Sequence, residues 1–307
     1  MNSNHNNKIL IISTSKKEEH EIGLYNYLQS VGFNTDIIKI DNLVVKLGRD
    51  SRIFYRTQDI THKYDVAIPF IQRKYYMLYK IILKVFEDEG IETYINSKYI
   101  DYALESNILI KEIDKHNIST LKTYVSISDK PLLNILDTLE FPLLIKITGE
   151  GRSIIIKSRE SVSSILDTIE SIKKCLVIKE IFPDMQYEEY LYIDGYTFGI
   201  RKSDREYEET KANSEINKIA SKLHEILASK IIMFSIYRDE NDRIYFDDIH
   251  LPHDIQRFID IYGNNITLAL SKSLIKGKGI REYLKWIMNN LKLNYLFSKK
   301  SLSDISP

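Results

Sequence analysis

A second cysteine is missing from these 307 residues. Cys175 alone can form neither an internal disulfide nor a cysteine-based metal cluster. In its apolar-flanked setting, KKCLVIKE, it is read as core filler in a reducing compartment. Excess charge is missing too. The 43 Lys and Arg residues balance 43 Asp and Glu, which argues against a general nucleic-acid binder and leaves only a local basic cleft open. No run approaches the roughly 20 apolar residues of a membrane helix. The first residues, MNSNHNNK, lack the apolar centre of a signal peptide. The expectation is a cytoplasmic protein with no membrane partner. No GxGxxG follows the first strand, where the loop reads STSKKEEHEIG, so a dinucleotide fingerprint is absent. Internal repeats and low-complexity linkers are absent as well. What is present is 43% hydrophobic and 28% charged residues. That balance fits a globular protein with a sizeable core, and the length suffices for two domains.

The N-terminal part alternates strand and helix signals. KILIIST, NTDIIKID, YDVAIPFI and ETYINS read as strands. KEEHEIGLYNYLQSVGF has helical spacing, with Ile22, Tyr25, Leu28 and Val31 on one side and Gly32 at its end. YYMLYKIILKVFEDEG is a second amphipathic helix, closed by Gly90; Tyr75, Tyr76 and Tyr79 fall at helical spacing and read as core. This alternation predicts a parallel sheet with right-handed crossovers. The middle differs. One helix is expected over about Ile100 to His116, others near Pro131 to Leu139 and Ser161 to Ser171, and a strand at CLVIKEIF. YEEYLYIDGYTFGIRKS predicts a hairpin turning at Asp194-Gly195. DREYEETKANSE reads as a charged loop before the helix INKIASKLHEILASK. IIMFSIYRDENDRIYFDDIHLP is a second hairpin with ENDR as its turn. The tail GIREYLKWIMNNLKLNYLF reads as an amphipathic helix.

Chemistry concentrates in FPLLIKITGEGRSIIIKS, which reads as strand, Gly-bearing turn and strand. Lys146 stands at the end of the first strand, and a lysine in an apolar run needs a partner, because a buried unpaired charge is costly. Gly149 and Gly151 free the backbone to approach an anion, and Arg152 and Ser153 add a charge and a hydroxyl. Such a segment suits a nucleotide phosphate chain; it equally suits a plain hairpin whose lysine snorkels to solvent.

In order and spacing, these elements resemble the ATP-grasp superfamily, particularly the RimK-like carboxylate–amine ligases, over roughly Lys8 to Leu274. The carriers are YDVAIPFI, GIETYINS with the helix and HNISTLKTY after it, FPLLIKITGEGRSIIIKS, LVIKEIF, the YLYIDGYTFGIRK hairpin and IYFDDIHLP. The resemblance implies an α/β and α+β chain: a parallel-sheet pre-ATP-grasp domain (1–98), then a two-subdomain ATP-grasp fold (99–275, divided into about 120–178 and 179–275), then a helical tail (276–307). It implies ATP and Mg²⁺ as cofactors, a small-molecule or peptide carboxylate and an amine (or thiol) as substrates, and self-association. Lys146 resembles the strand lysine on the phosphates, and Gly149, Gly151, Arg152 and Ser153 the turn that folds over them. Lys179, Glu180 and Phe182 resemble the adenine hinge, with the backbone of Glu180 to Phe182 reading the ring edge. Arg201 resembles the basic residue near the acyl-phosphate. Asp247, Asp248 and His250 resemble the metal-binding end of the last strand, where hard oxygen ligands suit Mg²⁺.

The chain also departs from that pattern. The family's first phosphate lysine falls on Glu105-Ser106, and the acidic ligand expected on the previous strand falls near Ser235. The E-x-N-x-x-P-G end becomes D-D-I-H-L-P-H. A charge-assisted hydrogen bond of the kind these residues would make is worth roughly 1.5–3 kcal/mol. Plain structural readings stand beside each site: a solvated hairpin end for Asp247 and Asp248, only one of which strand alternation turns inward; a surface histidine for His250, or a small cluster with His253 and Asp254; a cross-strand ion pair for Lys179-Glu180; a solvated strand end for Arg201. Two function classes follow. One is an ATP-dependent ligase working through an acyl-phosphate. The other is a degenerate module that binds a nucleotide, metabolite or protein partner without catalysis.

Overall fold

A computed structural model of the protein describes residues 8–14, 19–30, 32–126, 131, 134–147, 152–162, 175–203, 206–252 and 255–276. The chain divides into two compact units. The first comprises Met1–Ile100, Tyr190–Met233 and Leu251–Pro307; the second comprises Asp101–Glu189 and Phe234–His250.

The first unit opens with the expected strand–helix alternation: β1 (Lys8–Ser13), α1 (Glu19–Ser30), β2 (Asn34–Lys39), β3 (Leu43–Lys46), β4 (Arg52–Tyr55), β5 (Gln58–Asp59), β6 (Val66–Pro69), α2 (Tyr76–Asp88) and β7 (Glu92–Thr93); α3 (Ser97–Leu104) starts in it and ends in the second. Strands β2-β1-β6-β7 form a parallel sheet in that order. Ile9, Leu10, Ile11 and Ile12 are all fully buried, as a parallel strand covered on both faces requires. Gly90 follows α2 at φ +76°, in the left-handed region where glycine carries no Cβ penalty.

Two details of this part differ from the sequence expectation. Helix α1 buries Glu21, Leu24 and Leu28 and leaves Ile22 exposed. The rotation has a polar cause: the Glu21 carboxylate accepts the Thr14 backbone N–H at 2.9 Å, satisfying a donor where the chain leaves β1. Residues 43–59, for which the sequence carries no strand expectation, form the small antiparallel sheet β3-β4-β5.

The second unit holds α4 (Ser106–Asp114), β8 (Thr123–Ser126), β9 (Leu143–Ile147), β10 (Arg152–Ile156) and β11 (Leu176–Glu180). The single helix expected over Ile100 to His116 is two, α3 and α4, because Glu105 leaves helical geometry at φ −129°, ψ 54°. Strands β10-β9-β11-β8 form an antiparallel sheet. Alternation sorts its residues. One face packs Leu143, Ile145, Ile156, Leu176 and Ile178 with Leu139 and Val162. On the other, Leu144 packs with Leu121 and Ile181, joined by Met185, Tyr237 and Tyr245. Cys175, expected in the core, is half-buried.

A five-stranded sheet follows, built from β12 (Gln186–Ile193), β13 (Tyr196–Ser203), β14 (Glu206–Thr210), β15 (Ile231–Arg238) and β16 (Ile244–His250) in the order β14-β13-β12-β15-β16. The expected turn at Asp194-Gly195 joins β12 to β13, with φ of +41° and +102°. Between β15 and β16 the Asp239 carboxylate accepts the N–H groups of Asn241 and Arg243. Within DREYEETKANSE, expected as a charged loop, Glu206–Thr210 is a strand: β14 pairs antiparallel with β13. A sheet edge tolerates such a charged sequence, because its side chains stay in water. Helix α5 (Ser214–Leu227) precedes β15 and is capped by Asn213, whose side chain accepts the Ile216 N–H at 2.9 Å. Helices α6 (Ile255–Tyr262) and α7 (Asn264–Lys276) follow. Among the described residues no helix is long and apolar enough to cross a membrane. The expected tail helix and the helix at Ser161 to Ser171 lie wholly or largely outside them.

Candidate functional site

The second unit gathers two lysines and two aspartates. Antiparallel pairing sets Lys146 of β9 opposite Val177 of β11, and Lys179 of β11 opposite Leu144 of β9. Strand alternation therefore turns both lysines to the face that carries Leu144. Each meets Asp247 of β16. That strand is held beside the entry to β8, where the Phe246 N–H donates to the Ser119 carbonyl at 2.8 Å.

The two lysines differ in kind. Lys179 is enclosed, with 2% of its side chain exposed. Its Nζ lies 2.8 Å from Asp247 Oδ1 and 2.6 Å from the Asp247 carbonyl oxygen. Lys146 keeps 24% exposure. Its Nζ lies 3.0 and 2.9 Å from the two Asp247 oxygens and 3.4 Å from Asp248 Oδ2. The expectation that only one aspartate turns inward is thus corrected: both carboxylates reach one ammonium.

A polar chain continues from Asp247. Ser235 Oγ donates to Asp247 Oδ2 at 3.1 Å. His250 Nε2 lies 2.9 Å from Ser235 Oγ and 3.4 Å from the Tyr187 hydroxyl. Burial by itself pushes the Asp247 carboxyl up, but the Lys146 and Lys179 ammonium groups outweigh it and hold the carboxyl well below the usual carboxylate range. Burial likewise disfavours the charged form of Lys146, and Asp247 and Asp248 overcome it, so its pKa lies above that of an ordinary lysine. The Tyr187 hydroxyl is pushed up by burial, then by the negative charges of Glu189 and Asp247.

The donor set can be tested against a divalent cation. An ionised carboxylate offers about four lone-pair sites. Asp247 already accepts four contacts: two from Lys146, one from Lys179 and one from Ser235. A metal ion at Asp247 would have to displace an ammonium group, so this carboxylate as folded does not fit the role. Asp248 differs, because its Oδ1 is buried without a hydrogen-bond partner. Among the described residues no group of three or more His, Cys, Asp or Glu side chains is arranged to hold a metal ion.

The segment expected as a hinge has these contacts. Lys179 and Glu180 do not pair with each other. Glu180 is buried, accepts the Tyr124 hydroxyl at 2.9 Å and pairs with Lys122 at 2.9 Å. Its backbone N–H donates to the Lys122 carbonyl, and that of Ile181 to the Pro142 carbonyl, so these two donors are already committed. Phe182 is half-exposed, its ring tilted against Tyr245 with centroids 5.6 Å apart. Ser153 is exposed and pairs across from Lys146, and the backbone of Arg152 pairs across from Ile147. Gly149, Gly151, His253 and Asp254 lie outside the described residues. Arg201 belongs to the first unit, where its Nε and Nη2 lie 3.1 and 2.8 Å from Glu208 Oε1.

Tyr187 and the buried pair Glu188–Arg238, at 2.9 and 3.2 Å, have no counterpart among the residues singled out from the sequence. The sequence carries no clear signal for Glu188, because its strand also holds Gln186 and Glu189.

No family model matches the chain, and no curated protein does. Solved structures do match. The ATP-grasp ligase PsnB, complexed with minimal precursor, Mg and ADP, is 11% identical with a TM-score of 0.69, covering 87% of this chain and 97% of its own. A Chryseobacterium gregarium RiPP-associated ATP-grasp ligase, in complex with ADP and a leader and core peptide, is 12% identical with a TM-score of 0.68, covering 89% and 98%. A RimK domain ATP-grasp protein from Sphaerobacter thermophilus DSM 20745 is 9% identical with a TM-score of 0.68, covering 87% and 98%. At such identity the likeness is one of fold.

Proposed function

We propose that this protein, whose fold is the ATP-grasp fold, is an ATP-dependent ligase joining a carboxylate to an amine. The observation that carries the reading is the convergence of Lys146 with Asp247 and Asp248 inside one unit. Lys146 is the cation partly open to solvent, so it is the group that reaches a phosphate. The reaction needs no protein nucleophile. A substrate carboxylate oxygen attacks the γ-phosphorus and ADP leaves. The amine nitrogen then attacks the acyl carbon, phosphate leaves and the nitrogen loses a proton. Catalysis of this kind rests on positioning and charge neutralisation. Lys146 supplies the charge, the strand pair β9–β10 the phosphate-side wall, and Phe182 with Tyr245 an aromatic surface for the base. Because PsnB is also held with a precursor peptide, and the Chryseobacterium gregarium ligase with a leader and core peptide, the acid is proposed to be a peptide carboxylate.

A second reading, nucleotide binding without ligation, is favoured by one observation: Ser235 stands where a carboxylate was expected, and its hydroxyl is spent on Asp247. Thermal denaturation with ATP or ADP, on wild type and Lys146→Ala, tests the shared premise. A nucleotide at 100 times its Kd stabilises the folded state by about 2.7 kcal/mol, and that gain disappears in Lys146→Ala. Absence of any shift in wild type overturns both readings. Phosphate release that depends on an added peptide and amine then separates ligase from binder.

A further inference from the structure

We propose that Lys179 is a fixed internal cation standing in for a divalent metal at Asp247, so that phosphate engagement at this site does not run through a metal held by that carboxylate. The inference rests on the nucleotide reading and deepens it.

Only one of the two lysines is free to move. A phosphate arriving at the site competes with Asp247 and Asp248 for Lys146, whose side chain reaches solvent. Lys179 has no such freedom. Its ammonium is enclosed and binds both the carboxylate and the main-chain oxygen of one residue. It stays on Asp247 when Lys146 departs. Asp247 then still carries a full positive charge at 2.8 Å and the Ser235 hydroxyl at 3.1 Å. A second cation at that carboxylate would stand against the Lys179 ammonium in a water-poor setting, where like-charge repulsion is least screened. Ser235 adds no negative charge to offset it. Two lysines and two aspartates balance without a metal. Asp248, through its unpartnered Oδ1, is the one carboxylate oxygen of the four left for a cation.

Two measurements test this. Mn²⁺ alone is titrated into the wild-type protein and into Lys179→Met, with bound ion read by electron paramagnetic resonance. ADP affinity of the wild type is measured by calorimetry in Mg²⁺ and in EDTA. The expected result is Mn²⁺ binding at least about tenfold tighter in Lys179→Met, the scale on which a metal's neighbours tune its affinity. Equal Mn²⁺ binding by the two proteins overturns the proposal and leaves the nucleotide reading standing. ADP binding in neither condition overturns the nucleotide reading, and the proposal falls with it. Should Lys179→Met not fold, Asp247→Asn replaces it: Mn²⁺ binding equal to wild type supports the proposal, and weaker binding overturns it.

Discussion

Lys179 grips Asp247 twice, by the carboxylate at 2.8 Å and by the carbonyl oxygen at 2.6 Å, with both side chains almost wholly enclosed. Removing one partner of a buried pair leaves the other charge uncompensated, at a cost of about 3–5 kcal/mol. Lys179→Met is therefore expected to lower unfolding free energy by that order. Lys146→Met, whose ammonium keeps contact with solvent, should cost less. The double variant Lys179→Met/Asp247→Leu should recover part of the loss, because an apolar pair of similar volume leaves no orphaned charge. Urea unfolding of the four proteins measures this.

The same cluster sets the acid limit of stability. The folded pKa of Asp247 lies below its unfolded value of about 3.9. Its contribution is thus fully present above that value and is lost as pH falls through the folded pKa. Wild type should lose stability below about pH 4, and Asp247→Asn should show a flatter profile there. Lys146 works in the opposite direction. Its raised pKa contributes stability that is complete below the unfolded lysine value of about 10.4 and is lost only as pH rises beyond it. Denaturation followed by circular dichroism between pH 2 and 6, for wild type and Asp247→Asn, would show the crossing. Parallel curves would mean that Asp247 does not set the acid limit.

How much of this was legible beforehand follows physical lines. That Lys146 needs a partner was readable, because desolvation is a local property of an apolar strand. Which partner it takes was not, since Asp247 lies 101 residues away and is brought up by tertiary structure. The Asp194-Gly195 turn was readable, because its backbone geometry favours those residue types. The contact of Lys179 with Asp247 is likewise not readable from its neighbours Glu180 and Phe182, because strand alternation turns Lys179 to the opposite face from Glu180. The buried face of α1 is not legible from hydrophobic spacing, because Glu21 is held inside by a bond from the Thr14 backbone N–H, which no hydrophobic pattern encodes. Strand β14 was hidden for a related reason: an edge strand can be charged along its length and still pair.

A second buried pair gives an independent check on the core of the second unit. Arg238 forks onto both oxygens of Glu188, which is 2% exposed. Arg238→Met should cost about 3–5 kcal/mol, because it removes one partner of a buried ion pair. Arg238→Lys should recover only part of it, because an ammonium lacks the planar fork. Unfolding free energies of the two variants decide the matter.

Gly199 in β13 offers a steric prediction. A Cβ there would stand 2.7 Å from the Thr210 carbonyl oxygen and 2.6 Å from a Tyr190 ring carbon. The Tyr262 hydroxyl also bonds the Gly199 N–H and carbonyl, at 3.2 and 2.6 Å. Gly199→Ala must push β14 away and should cost about 1–3 kcal/mol. Tyr262→Phe, which removes only the hydroxyl, should cost about 1 kcal/mol. A melting temperature for Gly199→Ala equal to that of wild type would contradict the close approach of β13 and β14.

The ion pair at Lys146 has a consequence for affinity. Asp247 and Asp248 are tethered rivals of any incoming anion, always present at the ammonium it seeks. An anion finds Lys146 available only in the fraction of molecules in which the lysine has left its own carboxylates, and apparent affinity falls by that fraction. Weak binding would then reflect a self-occupied resting state and not a poorly shaped one. Neutralising the looser rival with Asp248→Asn should strengthen phosphate binding even though it deletes a charged group.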